Sequence, residues 1–170
     1  MSDTPPGLPQ YVVAFCVSLL LWVLLTGTLD PQELAAGGAV ALLVPAVAGR
    51  RLAILNGMRL TLAAPWHLLR YLAYFCVALF LANLDLARRV LSPSLPLHPG
   101  VVAVRTGLRS DLGRLLLANS ITLTPGTLSV DVRDDHILVH WIDVSPGTDP
   151  EAATRRIAAG FESRIEGFLR

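Results

Sequence analysis

The stretch YVVAFCVSLLLWVLLTGTL, at residues 11–29, contains 19 residues and no charged side chain. At a rise of 1.5 Å per residue, about 20 apolar residues of α-helix cross the roughly 30 Å hydrocarbon core of a bilayer. The stretch therefore predicts a transmembrane helix. We interpret Trp22, near the middle of this helix, as a packing residue rather than as an anchor at the membrane surface.

A second apolar segment follows after a short polar turn. Residues 34–49 are uncharged and precede Arg50 and Arg51. Because arginine side chains extend toward the membrane surface, the usable span lengthens to about 34–53. Small residues dominate its first half, and in lipid they allow two helix backbones to approach closely. The candidate contacts with partner helices or subunits in this segment are Gly37, Gly38 and Ala41.

A third segment, at about 62–91, has an uninterrupted apolar stretch of only 14 residues, at 71–84. That length suits an interfacial helix better than a full span. Six arginines lie between the second segment and residue 92, and short basic connections mark the cytoplasmic side. These are Arg50, Arg51, Arg59, Arg70, Arg88 and Arg89. If the third segment is an interfacial helix, all six arginines lie on the cytoplasmic side of the membrane. We therefore favour two spans plus an interfacial helix, with three spans as the alternative.

The third segment also carries polar side chains close to the membrane, which often mark a functional site or a partner contact. Asn83 and Asp85 are the candidates for contact with partner subunits. The alternative is a polar strip that faces lipid headgroups. On the interfacial reading, the polar face and the aromatic residues suited to the headgroup zone are Arg70, Asn83, Asp85, Arg88 and Arg89, with Trp66, Tyr71 and Tyr74.

Charge is distributed unevenly along the 170 residues, of which 53% are hydrophobic and 16% are charged. Residues 1–91 hold 10 of the 27 charged side chains, and residues 92–170 hold the other 17. The distribution predicts a membrane domain at 1–91, a linker with three prolines at 92–100, and a cytoplasmic domain at 101–170. The net charge of +1 gives no field that would attract nucleic acid.

The C-terminal domain begins with a predicted strand at 101–104 and a helix for which Ser110 is the N-cap. Leu112, Leu115, Leu116 and Asn119 fall on one side of that helix at a 3.6-residue period. This spacing predicts that these four residues form the buried face. Residues 124–127, with the sequence Thr-Pro-Gly-Thr, then predict a type II turn.

Two strands and a last helix complete the C-terminal domain. In residues 127–132, alternation predicts that Leu128, Val130 and Val132 point inward. Asp134 and Asp135 form the hairpin turn, and the second strand runs over 136–144. After a loop at 145–150, with Asp149 as N-cap and Pro150 at the first helical position, the final helix covers 151–169. The order β-α-β-β-α predicts a small α+β domain with an antiparallel or mixed sheet.

No constellation for metal binding or catalysis is predicted. Asp131, Asp134, Asp135, His136, His140 and Asp143 are metal-ligand types, but the acids cluster at a solvated turn and the two histidines are about 13 Å apart along one strand. No nucleophile elbow, phosphate loop or HExxH motif is present. Cys16 and Cys76 lie in apolar runs, which favours buried thiols over a disulfide. We therefore expect no enzyme activity and no cofactor.

The segment LANSITLTPGT, at residues 117–127, resembles the E-type component of the Mrp (Mnh) multisubunit Na+/H+ antiporters, as do the Val-Asp-Val at 130–132 and residues 140–144 that follow it. The upstream segments at 83–85 and 88–91 and the Pro-Gly at 99–100 are similar to that family as well. Thr-Pro-Gly-Thr is the most specific part. The family-motif residues are Asn119, Thr122, Thr124, Pro125, Gly126, Thr127 and Asp131.

The resemblance implies an accessory subunit that stabilises a complex exchanging Na+ or another monovalent cation for H+. The ion route would lie in larger subunits, which are the implied partners together with the lipid bilayer. The location implied is the bacterial cytoplasmic membrane. A self-contained small ion transporter or channel is the alternative, and it is disfavoured because neither predicted span carries a charged residue at mid-membrane.

Overall fold

The computed structural model describes residues 5–59, 61–133, 135–144 and 149–169. The chain divides into two compact units, Met1–Asn56 and Gly57–Arg170. Asp134 and residues 145–148, which the sequence assigns to a turn and a loop, lie outside the described residues.

The first unit is a helical hairpin. Helix α1 covers Leu8–Thr26 and ends at Gly27, which adopts a left-handed conformation and donates its N–H to the Val23 carbonyl at 2.9 Å. Helix α2 covers Pro31–Ala48, with proline at its first position, and a 3₁₀ helix continues over Gly49–Leu55. Both helices are long and apolar enough to cross a membrane, which agrees with the two predicted apolar segments.

The second unit begins with the long helix α3, Ala64–Leu91, which by length and hydropathy is also able to cross a membrane, as in the three-span alternative. It is followed by β1 at Gly100–Arg105, α4 at Asp111–Leu123, β2 at Thr127–Arg133, β3 at His136–Trp141, α5 at Pro150–Ile157 and α6 at Ala159–Ile165. The three strands form one antiparallel sheet in the order β1-β3-β2. The prediction of apolar N-terminal helices followed by a small sheet domain is confirmed.

The core of this unit lies between one face of the sheet and the helices. Val104 pairs with Ile137 across β1 and β3, and both side chains are fully buried. Leu117 and Ile121 of α4 cover them together with Ile165 of α6. Burial of apolar surface of this kind is the main favourable contribution to folding.

The buried face of β2 differs from the prediction, which was wrong for Leu128, Val130 and Val132. These side chains are 45–60% exposed. The strand contains a bulge between Ser129 and Asp131, but Leu128 lies before it and pairs with the exposed His140, so the bulge is not the cause of this difference. Ser129 instead faces α4, where its hydroxyl donates to the Ala118 carbonyl at 2.9 Å.

Two helical predictions also require correction. On α4, Leu112 and Leu116 of the predicted stripe pack against the core, but Leu115 and Asn119 are exposed. The fully buried residues are Gly113, Leu117, Ala118, Ser120 and Ile121. This buried face is selected by contacts with α3 and the sheet, which local periodicity does not include. The last helix breaks at Ala158, which has φ −110°, and the change of direction between α5 and α6 turns Phe161 toward α3.

Helix α3 belongs to the same compact unit as the sheet, although the sequence groups residues 1–91 as one membrane domain. Tyr71 is 6% exposed within the core, and Tyr74, Phe75 and Ala78 pack against that core. These residues follow a helical period, so one side of α3 is a docking face for the sheet domain. One compact unit thus contains both α3 and the sheet.

Candidate functional site

A half-open cleft of about 260 Å³ lies where α3 meets the turn that follows α4. It brings Asp85 of α3 together with Thr124, Pro125 and Thr127 of the family motif, two groups that the sequence singled out separately. The remaining lining residues that give the cleft its character are Tyr74, Arg89, Trp141, Arg156 and Phe161. The cleft therefore combines apolar aromatic surface with charged groups.

The motif turn holds the end of α4 by side-chain hydroxyl groups. The last carbonyls of an α-helix have no partner within the helix. Thr127 Oγ1 donates to the carbonyls of Ile121, at 2.6 Å, and Thr124, at 2.9 Å. Thr124 Oγ1 donates to the Ser120 carbonyl at 2.8 Å. Thr122 Oγ1 accepts from the Ser129 N–H at 3.1 Å and so joins the helix to β2.

Gly126 is required by the geometry of this turn. Its φ is +91°, a value that favours glycine, and a Cβ atom there would lie 2.9 Å from Ile142 Cγ2. The N–H of Ile142 donates to the Gly126 carbonyl at 2.9 Å, and the N–H of Thr127 donates to that of Thr124 at 3.2 Å. The observed conformation agrees with the predicted type II turn.

The other two motif residues lie away from these contacts. Asn119 is exposed on α4. Asp131 forms an exposed ion pair with Arg133, at 2.7 Å between Oδ2 and Nε. This hydrogen bond from Arg133 lowers the pKa of the Asp131 carboxyl below its ordinary value.

We expect Thr127→Val to reduce the free energy of unfolding of the full-length chain by about 0.5–1.5 kcal/mol, because it preserves shape but removes the hydroxyl that donates to the Ile121 and Thr124 carbonyls. Chemical denaturation in detergent, followed by near-ultraviolet circular dichroism, measures this change. Thr61→Val, at an exposed position, is the matched control and should leave stability unchanged. Equal effects of both substitutions would contradict the assigned role of the Thr127 hydroxyl.

Tyr71 joins α3 to α4 by a buried hydrogen bond. Its hydroxyl lies 2.7 Å from Ser120 Oγ, and Ser120 Oγ donates to the Leu116 carbonyl at 2.6 Å. Because the single hydroxyl hydrogen of Ser120 is used in that bond, the Tyr71 hydroxyl is the donor between the two side chains. The buried polar pair is therefore satisfied.

Aromatic side chains extend the α3 docking face. Tyr71 packs edge-on against Phe168 with ring centroids 5.8 Å apart, and Tyr74 packs edge-on against Phe161 at 5.2 Å. Phe75 also contacts Phe161, at 6.2 Å. The sequence-based interpretation placed Tyr71 and Tyr74 in the lipid headgroup zone and missed this role. Their spacing of three and four residues, continued by Ala78, was the signal that could have identified a packed face.

An ionic network closes the end of the cleft near the C-terminus of α3. Arg89 Nε lies 2.8 Å from Asp85 Oδ2, and Arg89 Nη1 lies 2.8 Å from Asp143 Oδ2. The same Nη1 donates to the Pro96 carbonyl at 3.1 Å. His98 Nδ1 lies 3.2 Å from the second oxygen of Asp143. Arg89 therefore connects α3 to Pro96, which precedes β1, and to Asp143, which follows β3.

The hydrogen bond from Arg89 holds the pKa of the Asp143 carboxyl below its ordinary value of 3.8, and His98 acts in the same direction. A carboxylate with a lowered folded-state pKa adds stability above the ordinary pKa and loses that contribution as pH falls through the folded pKa. The stabilisation is therefore present at neutral pH and is lost below about pH 3.8.

We expect Asp143→Asn to lower the free energy of unfolding by about 1–2 kcal/mol at pH 7, because a hydrogen-bonded charge pair is lost. The difference from the unsubstituted chain should shrink as pH falls below 3.8. Unfolding at several pH values between 7 and 3 measures it. Asp131→Asn, in an exposed ion pair, should have a much smaller effect. A difference for Asp143→Asn that stays constant to pH 3 would contradict this assignment.

In the hairpin, the small residues occupy different environments. Gly37 and Ala41 are buried, and a Cβ atom on Gly37 would overlap the indole ring of Trp22, with Cγ 2.7 Å away. The indole Nε1 of Trp22 is buried without a hydrogen-bond partner among the described residues. A Cβ atom on Gly38 would meet nothing within 4 Å. Gly37 thus packs within the chain, whereas Gly38 faces open space.

On α3, Asn83 and Asp85 have different contacts. The Asn83 side chain is exposed and donates to the Leu79 carbonyl at 2.7 Å. Asp85 faces the cleft and pairs with Arg89. The large apolar side chains that remain exposed on α3 are Trp66, Leu68, Leu69, Leu72, Val77, Phe80, Leu81, Leu84, Val90 and Leu91.

The histidine and acidic residues near the β2–β3 hairpin do not assemble into a metal centre in the part of the chain that the structure describes. His136 Nδ1 lies 2.8 Å from Asp135 Oδ1, while His140 is exposed on the open side of the sheet. Within residues 61–133, 135–144 and 149–169, the charged groups that line the cleft are all engaged: Asp85 pairs with Arg89, Arg89 also pairs with Asp143, and Arg156 lies over the ring of Trp141 at 4.7 Å.

These features define a class of protein: a membrane protein with an apolar helical hairpin and a small antiparallel sheet domain built onto a long amphipathic helix. A family model described as MNHE, Na+/H+ ion antiporter subunit, matches residues 15–167. The chain belongs to this family, which confirms the resemblance inferred from the Thr-Pro-Gly-Thr motif. With several apolar helices, it is a membrane-embedded protein of a transporter family.

Individual relatives agree with this assignment. The chain is 43% identical over 102 residues to the E component of the Na(+)/H(+) antiporter of Alkalihalophilus pseudofirmus, covering 59% of this chain and 63% of that relative. It is 33% identical over 138 residues to the E1 component of the Na(+)/H(+) antiporter of Staphylococcus haemolyticus, covering 80% and 84%. A chain of the membrane-bound sulfane sulfur reductase, an archaeal respiratory membrane complex, superposes with a TM-score of 0.81 at 36% identity, covering 92% and 97%.

Proposed function

We propose that this chain is an accessory subunit of a multisubunit monovalent cation/H+ antiporter, and that it stabilises the complex without carrying the ion pathway. The observation that carries this proposal is the absence of charge in the hairpin. Residues 8–29 contain no charged side chain, and the one in α2 is Glu33, in its first turn. Proton relays through membranes use ionisable side chains inside the bilayer, and this hairpin offers none at mid-membrane, so it suits packing rather than proton transfer.

The proposed topology has α1 and α2 crossing the bilayer, with α3 lying along its cytoplasmic surface. The sheet domain contacts α3 from Tyr71 to Arg89, a length of about 27 Å of helix. If α3 crossed the membrane, these contacts would place Arg89 and Asp143 in or near hydrocarbon at a high cost. If α3 lies in the membrane interface, the sheet domain is in water, and the apolar outer face of α3 is directed toward lipid or a neighbouring subunit.

The proposed cytoplasmic side of the domain rests on the positive charges that flank the apolar segments. All six arginines between α2 and β1 stay on one side in this topology, and positive residues in short connections face the cytoplasm. To test it, Ser94→Cys can be labelled from either side in a Cys16→Ser/Cys76→Ser background, since both native thiols are exposed in the structure. Labelling from the outside alone would refute the proposed orientation.

The partners proposed are other membrane subunits of the antiporter complex, and three surfaces are available to them. These are the face of α2 around Gly38, the exposed side of α3 around Asn83, and the cleft beside Asp85. Gly37, by contrast, faces Trp22 of α1, and Ala41 is buried within the chain. We therefore assign partner packing in the hairpin to Gly38.

The respiratory complex supports a second candidate, because a chain of that complex superposes over 92% of this one. On this alternative, the subunit would assemble into a respiratory membrane complex instead of a dedicated antiporter. The two candidates share the membrane location and the accessory role, and they differ in the other subunits of the assembly.

Purification through an affinity tag on this chain tests the proposal. We expect other membrane subunits to co-purify, and deletion of this chain should leave a complex that loses subunits. An assembly that exchanges cations for protons supports the antiporter, whereas one that reduces sulfane sulfur supports the second candidate. A complex that forms with full subunit content without this chain would refute the accessory role.

A further inference from the structure

A second cleft, of about 520 Å³, lies on the Gly57–Arg170 unit, close to the first residues of that unit. Arg59 lines it from the segment that follows the membrane hairpin, and Arg109 lines it from the segment before α4. The other lining residues are Gly107, Leu108, Glu166, Gly167 and Leu169. None of them takes part in the cleft between α3 and the motif turn.

The segments that carry the two arginines are in close contact where Gly57 meets the side chain of Ser110. Gly57 has φ +98°, and a Cβ atom there would lie 2.5 Å from Ser110 Cβ. Only glycine suits both the conformation and the contact. The N–H of Arg59 donates to the Phe168 carbonyl at 2.9 Å. The segment that leaves the hairpin is thus fixed beside the residues preceding α4 and beside the C-terminal turn.

The charges at this cleft favour a single negative ligand. Arg59 and Arg109 are both exposed, and neither forms an ion pair with another described residue. Glu166 supplies one negative charge, which leaves a formal charge of +1 on the lining. A guanidinium group binds phosphate oxygens through two parallel N–H donors, and two such groups flank the opening.

We propose that this cleft binds the phosphate of an anionic phospholipid headgroup from the membrane surface. Arg59 follows the last residue of α2 by only 11 positions, so the covalent chain keeps it within reach of the bilayer. Leu108 and Leu169 also line the cleft, but at 3% and 1% exposure they offer a ligand almost no apolar surface, so the contacts to a headgroup fall to the arginines. Basic pockets on the cytoplasmic side of membrane proteins recognise lipid headgroups in this way. The inference rests on the proposed topology, which puts the Gly57–Arg170 unit at the cytoplasmic membrane surface, but not on the proposed accessory role.

Lipid binding to the purified full-length chain in detergent, measured by native mass spectrometry, tests the proposal. The probes are dioleoyl phosphatidylglycerol, dioleoyl phosphatidylcholine and inorganic phosphate. Arg59→Gln/Arg109→Gln is the test variant. Arg133→Gln/Arg155→Gln removes the same charge from exposed positions of the same unit outside the cleft and is the matched control.

We expect the test variant to weaken phosphatidylglycerol binding by about tenfold or more, and the control to change it less than twofold. Phosphatidylcholine binding should be weak in all three proteins. Equal weakening in both variants would show a general charge effect and overturn the proposal. Displacement of phosphatidylglycerol by millimolar inorganic phosphate would assign the cleft to free phosphate and overturn the lipid assignment.

Discussion

Replacing Phe161 by alanine should destabilise the Gly57–Arg170 unit by about 3–5 kcal/mol, the range for removal of a buried aromatic side chain. Phe161 is 4% exposed and contacts both Tyr74 and Phe75 of α3. Its loss would leave a cavity between α3 and the sheet domain, where both sides are held by other contacts and cannot collapse fully. Chemical denaturation of the full-length chain in detergent measures the change in the free energy of unfolding.

Phe80→Ala is the matched control for this prediction, since it removes the same kind of side chain from the exposed side of α3. Phe80 is 63% exposed. In detergent we expect its replacement to change the free energy of unfolding by less than about 0.5 kcal/mol. If Phe80→Ala were as destabilising as Phe161→Ala, the assignment of the two faces of α3 would be wrong.

Gly37→Leu should separate the two helices of the hairpin, with a cost of about 1–3 kcal/mol or more from overpacking. The leucine side chain would occupy the position of the Trp22 indole, which lies against Gly37. The indole must then move or the helices must part. Thermal unfolding in detergent and the fluorescence of Trp22 in a Trp66→Phe/Trp141→Phe background measure both effects.

Gly38→Leu makes the same chemical change one position along the helix, where a Cβ atom meets nothing within 4 Å. It should leave Trp22 fluorescence and thermal unfolding unchanged. On the proposed accessory role, it should instead reduce the amount of partner subunits that co-purify with the chain. A Gly38→Leu protein with unchanged subunit stoichiometry would remove Gly38 from the partner surface, and a Gly37→Leu protein with unchanged Trp22 fluorescence would contradict the hairpin packing.

Features with a local physical cause could be predicted from the sequence. The apolar runs of the sequence correspond to α1 and α2, because the suitability of a segment for crossing a membrane is set by the hydropathy of its own residues. Ser110 and Asp149 are N-caps, with side chains accepting from Gly113 at 3.1 Å and Ala152 at 2.6 Å. The motif turn with Gly126 also follows from short-range conformational preference.

Features that depend on distant contacts could not be predicted in this way. The inner face of β2 carries Ser129, whose hydroxyl donates to the Ala118 carbonyl of α4, and the more apolar Leu128 is exposed. The hydroxyl of Ser120 is acceptable in the core of α4 because Tyr71, 49 residues away, donates to it. From hydrophobicity alone, Ser129 and Ser120 would be assigned to the outer faces of β2 and α4, whereas both lie on the inner faces.

The candidate site also has some features that could be predicted from the sequence and others that could not. The motif threonines and Asp85 were identified from the sequence, but their meeting in one cleft required the docking of α3 on the sheet domain. Asp143 was considered only as a possible metal ligand, and its pairing with Arg89 spans 54 residues. Ion pairs over such separations leave no periodic signal in a single sequence.

The measurement that tests the accessory role most directly is cation-driven proton flux across liposomes that contain this chain alone. The uncharged interior of the hairpin predicts a flux no greater than that of empty liposomes under the same Na+ gradient. The complete complex, reconstituted in the same lipids, should exchange Na+ for H+. Flux through the chain alone, above the empty-liposome level and dependent on the cation gradient, would contradict the account.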